Sequence, residues 1–101
     1  MKEVYTSIDN LQTNCYYVRM FGDGGFQIVK ILEVTNLNGY VRVRFVRWNT
    51  FDTNGSEREW IKHVNDNKLV PGKFICIDKE VARRLIESLK RTQTIRSILQ
   101  S

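Results

Sequence analysis

Residues 26 to 48, FQIVKILEVTNLNGYVRVRFVRW, set an Asn38-Gly39 pair between two runs of β-branched and aromatic residues. Asn-Gly tolerates the positive φ angles of a two-residue hairpin turn, so the two runs are expected to fold back as antiparallel strands over 26–35 and 40–48. The second run begins by alternating. Val41, Val43 and Phe45 fall on one face and Arg42 and Arg44 on the other, which predicts a buried face and a wet, basic one.

The flanks extend the same pattern. NCYYVRM, residues 14 to 20, is rich in strand formers and runs into FGDGG, whose glycines permit a sharp turn, so a first hairpin is expected with a strand near 15–20. The tract NTFDTNGSER, 49 to 58, has no periodicity and is dense in turn formers, which predicts a long loop before a short strand near 59–63. Pro71-Gly72 punctuates the chain before KFICI, 73 to 77, a last short strand. Asp78 then stands as an N-cap for a helix from about residue 79, in which Val81, Leu85, Ile86 and Leu89 recur at helical spacing. Ile95, Ile98 and Leu99 follow in a tail that either extends the helix or docks separately.

About five short strands followed by one helix predict a mainly β chain, a small bent antiparallel sheet or barrel with a C-terminal α-helix. At 101 residues it is expected to be one domain, with the barrel over about 14–77 and the helix and tail over about 78–101. Hydrophobic residues at 42% and charged residues at 27% are ordinary for a globular fold. No run of about 18 apolar residues occurs and the first residues lack a signal-peptide centre, so a soluble intracellular protein without membrane contact is expected. Cys15 and Cys76 have no second Cys or His at metal spacing and are read as small buried hydrophobes in a reduced compartment.

The stretch RFVRWNTFDTNGSEREW gathers Phe45, Trp48, Phe51 and Trp60 around this loop. Together with Phe26, the Trp48-Asn49 pair, Glu59-Trp60-Ile61 and the FGDGGF turn, it resembles the chromo barrel, or Tudor-knot, an SH3-like barrel of chromatin proteins. The resemblance spans residues 16 to 69, about half of the chain, and rests on few fixed residues. Arg58 stands where that family has an acidic residue before Glu-Trp, and TNGSER lengthens the loop, in which Phe51 is the one aromatic available.

The resemblance implies a binding module for a histone tail, methylated or not, placed in the nucleus if the source is eukaryotic. A methyl-lysine cage needs several aromatic faces around a cation, and by resemblance Phe21, Phe26, Phe45, Trp48 and Phe51 are the candidates, with Trp60 assigned to the core. Against this, Phe45 shares its face with Val41 and Val43, as a packing residue does. The net charge of +5 makes nucleic acid an auxiliary partner. Its candidate contacts are Arg42, Arg44 and Arg47 on the strand and Arg83, Arg84, Lys90 and Arg91 on the helix.

No nucleophile, base or metal-ligand set is apparent, so neither an enzyme nor a cofactor is expected. Glu59 is expected to serve as a structural hydrogen-bond acceptor. The competing function is a small interaction or inhibitor protein, such as a virus-encoded one, that occupies a partner protein through the barrel. Such a protein needs an exposed apolar patch or dimer interface and no cation pocket.

Overall fold

The computed structural model describes residues 3–4, 11–63 and 73–100. The chain is mainly β. Six strands, β1 (Glu3–Val4), β2 (Tyr16–Met20), β3 (Phe26–Leu37), β4 (Tyr40–Trp48), β5 (Ser56–His63) and β6 (Lys73–Ile77), precede one helix, α1 (Lys79–Gln100). All pairings are antiparallel, in the order β1-β6-β2-β3-β4-β5.

The central hairpin turns at Asn38 and Gly39, with φ of 40° and 88°. Both angles are positive, the condition under which a two-residue turn matches strand twist. Register slips by one residue between Ile31 and Glu33. This bulge lets Ile31 and Val34, three apart, pack against the same hydrophobic cluster.

The sheet is open in its hydrogen bonding yet tightly curled. β5 and β6 stand four strand steps apart, a span of about 19 Å if the sheet were flat. Trp60 of β5 and Phe74 of β6 nevertheless meet edge to face at 5.8 Å between centroids. The concave side thus closes on its own core of Tyr17, Val29, Ile31, Val43, Phe45 and Phe74. The convex side carries Ile28 and Ile77, covered by Ala82 and Leu89 of α1 with Val81, Leu85 and Ile86 packed around them. Each fully buried side chain of this kind contributes about 1.5–3 kcal/mol.

Ala82 N–H donates to the Asp78 carbonyl at 2.9 Å, so Asp78 does precede the first turn of the helix. The tail continues α1 to Gln100 rather than docking apart.

Three expectations are corrected. β5 begins at Ser56, inside the expected loop, because Ser56, Glu57 and Arg58 pair with Arg47, Val46 and Phe45. β1 was not foreseen, since two residues carry no period. Cys76 is exposed and Cys15 only partly buried. Both line a groove of about 430 Å³ beside Tyr16 and Lys79, where β2 begins and β6 ends, with Cys15 packed against the edge of the concave core.

Candidate functional site: an aromatic cleft and a basic rim

Two turns meet at the end of the sheet where β2 passes into β3. In the first, Phe21 N–H donates to the Gly25 carbonyl at 2.9 Å and Asp23 Oδ1 accepts from Gly25 N–H at 2.9 Å. Gly24 supplies the positive φ of 89° that this turn requires. The second is the 49–55 loop. Asn49 Oδ1 accepts from the N–H groups of Phe51 at 2.9 Å and Asp52 at 2.8 Å, an Asx turn, and Ser56 Oγ donates to Asp52 Oδ2.

Buried Thr53 donates its hydroxyl to Gln93 Oε1 at 2.7 Å, fastening this loop to α1. Phe51 is left 82% exposed, with the Arg96 guanidinium over its ring at 5.4 Å. Between the two turns lies an open cleft of about 410 Å³, lined by Phe21, Phe26, Phe51, Asp23, Gln27 and Arg96 among others.

Of the five aromatics expected in a cage, Phe21, Phe26 and Phe51 therefore converge and two do not. Phe45 is buried in the concave core and stacks on Trp60 at 3.8 Å. Trp48 lies on the convex side, stacked on Tyr16 at 6.4 Å and facing Ile86 of α1. The loop crosses its indole so closely that a Cβ on Gly55 would sit 2.7 Å from Trp48 Nε1. Strand alternation explains the split: Phe45 and Trp48 are three apart and cannot share a face.

A second aromatic cluster escaped the sequence reading. The Arg19 guanidinium sits over Phe21 at 4.8 Å, Trp60 at 5.0 Å and Phe74 at 5.7 Å. Burial, and secondarily the charge of Arg47, pushes its pKa down. Three ring faces thus already surround a cation of the chain's own. Tyr17-x-Arg19-x-Phe21 alternates on the core side, a signal present in the sequence. Only the curl of the sheet adds Trp60 and Phe74.

The basic residues divide between surfaces. Arg42 and Arg44 point outward from the convex side into a ladder of mixed charge: Arg42 bonds Glu59 at 2.7 Å, and Arg44 bonds Glu33 at 3.1 Å and Glu57 at 3.0 Å. Glu59 is thus an acceptor, as expected, though for Arg42. A hydrogen bond from the Thr35 hydroxyl, and then the Arg44 charge, hold the Glu33 carboxyl below its ordinary range. On α1, Arg83 bridges Glu80 at 2.6 Å and Glu87 at 2.7 Å, and Arg84 reaches Glu80 at 3.4 Å. Lys90 and Arg91 are exposed farther along the helix. Arg47 faces the concave side instead, across from Val29 and Ser56.

The set of basic candidates on β4 and α1 is therefore not one surface. It is a neutralised ladder, a helix flank and one inward-facing arginine. No family model, curated protein or solved structure matches this chain.

Proposed function

We propose that this chain is a binding module rather than an enzyme, and that its cleft takes a lysine side chain, methylated or not, from a basic peptide such as a histone tail. The carrying observation is the convergence of Phe21, Phe26 and Phe51 from separate segments on one open cleft beside the Asp23 carboxylate. The negative π face of each ring attracts an ammonium that is weakly hydrated when methylated, at about 0.5–2 kcal/mol per face. Arg96 over Phe51 illustrates the affinity of that ring for a cation. Two or three faces support binding in the micromolar to millimolar range. Nucleic acid is an auxiliary ligand of the basic side chains.

The test is a titration of trimethyl-lysine and unmodified lysine peptides followed by backbone amide shifts. Perturbation centred on Gly24, Gly25 and Phe51, stronger for the methylated peptide and lost in Phe51→Ala, is the expected result. Shifts elsewhere, or none at millimolar peptide, reject the cleft.

One observation favours the competing reading of a partner-occupying protein. Ile95, Ile98 and Leu99 lie at helical spacing on the last turns of α1, each more than half exposed. An apolar stripe of this kind suits a groove on another protein. Loss of a protein partner on Ile98→Asp, with the cleft inert, would favour that function.

A further inference from the structure

Strand register places Arg19, Gln27, Arg47, Ser56 and Arg58 together on the concave side, at the end of the sheet nearest the cleft. Every carboxylate of β2 to β6, namely Glu33, Glu57 and Glu59, belongs to the other side. The described strands β2 to β6 therefore sort their own charge, with mixed pairs on the convex face and basic side chains on the concave one, where Asp52 of the 49–55 loop accepts from Ser56.

Arg47 carries the clearest sign of a missing partner. Its Nε is buried without a hydrogen-bond acceptor, and Gln27 Oε1 is buried without a donor. Arg47 and Arg58 take part in no ion pair among the described residues. A buried donor left unpaired costs stability, so such groups in a native fold ask for an explanation. An anion on the half-buried guanidinium of Arg47 would offset its repulsion of Arg19, whose charged form burial and Arg47 already disfavour.

Aromatic rings border this basic rim. Phe21 and Trp60 flank Arg19, and Gln27 connects the rim to the cleft, where Phe51 stands almost fully exposed. A groove that pairs cations with open rings holds single-stranded nucleic acid, whose phosphates meet the cations and whose unstacked bases meet the rings. A duplex hides its bases and gains nothing from Phe51. An acidic peptide would use the arginines and leave the rings idle.

We propose that the concave rim is a binding track for a single-stranded nucleic acid, with Arg47 and Arg58 on phosphates and Phe51 as a stacking platform. This deepens the auxiliary nucleic-acid part of the proposed function; the track shares Phe51 with the peptide cleft, whereas Arg47 and Arg58 do not line that cleft.

The test is fluorescence anisotropy of labelled single-stranded oligo-U and oligo-dT, a duplex and polyglutamate, at about 50 and 200 mM salt. The expected order is single strand over duplex and polyglutamate, with a log–log salt slope of about −1.4 for two phosphate contacts. Arg47→Ala/Arg58→Ala is expected to weaken binding at least tenfold and more than halve the slope. Arg42→Ala/Arg44→Ala, on the neutralised ladder, is expected to stay within about twofold. Arg58 is exposed, so Arg58→Ala alone serves if the double variant fails a thermal melt.

Unchanged affinity in the rim variants, loss instead in Lys90→Ala/Arg91→Ala, or tighter binding of polyglutamate would overturn the proposal. Trimethyl-lysine peptide titrations of the rim variants should match the parent protein, so failure of the track and failure of the cleft give different results.

Discussion

Replacing each tryptophan with alanine separates the core of this protein from its site. Trp60 stacks on Phe45 at 3.8 Å, meets Phe74 edge-on at 5.8 Å and lies under Arg19 at 5.0 Å. It joins strands that a flat sheet would hold far apart. Truncation of a buried tryptophan costs about 3–5 kcal/mol, and because Trp60 is only partly buried we place Trp60→Ala near 3–4 kcal/mol. Against a total of about 5–15 kcal/mol for a domain of this size, the melting temperature should fall by about 12–30 °C. Trp48 loses a more distant Tyr16 stack and its contacts with α1, so Trp48→Ala is expected near 2–3 kcal/mol.

Urea unfolding followed by circular dichroism, with the m-value unchanged, measures both losses. Calorimetric titration of a trimethyl-lysine peptide should show Trp48→Ala within twofold of the parent, since the ring does not line the cleft. A Trp48→Ala protein that melts normally but no longer binds peptide would refute this assignment. So would a Trp60→Ala loss below about 1 kcal/mol.

Gly55→Ala forces a Cβ against Trp48 Nε1 at a φ of 89°, and should cost about 1–3 kcal/mol in urea unfolding; a loss under about 0.5 kcal/mol would mean the loop yields freely. Thr53→Val removes the donor to Gln93 and should cost about 1 kcal/mol while speeding amide exchange in the 49–55 loop. Burial raises the Tyr17 pKa above 10.0, so the folded state holds that proton more tightly than the unfolded one: this contribution is intact below pH 10 and is lost as pH rises through the folded value. Tyr17→Phe should flatten that alkaline decline in melting temperature. The Glu33 and Glu80 carboxyls titrate below 4.5, so their contribution is present above that pH and fades as pH falls through the folded values, a trend that acid melts of Glu33→Gln and Glu80→Gln should weaken.

Much of the fold was legible because its signals are local. Asn38-Gly39 demands its turn whatever surrounds it, and the Val41-Val43-Phe45 alternation has only one face to bury. The Val81, Leu85, Ile86 and Leu89 spacing likewise implied the covered side of α1. The start of β5 was missed because Ser56, Glu57 and Arg58 are polar; they become strand by pairing with β4, a long-range cause.

Within the site, Phe21, Phe26 and Phe51 of the five cage candidates line one cleft, while Trp48 leaves the other side of its strand, because nearness in sequence to a loop does not say which side a ring leaves. Residue types and period two, then, determined by themselves that this chain makes hairpins, a basic strand and one amphipathic helix. Tertiary structure alone decided that Trp60 and Phe74 enclose Arg19, that Glu33, Glu57 and Glu59 neutralise Arg42 and Arg44, and that Arg47 faces inward. Those outcomes depend on the curl and register of the sheet, which bring together residues far apart along the chain and so leave no trace in any local pattern.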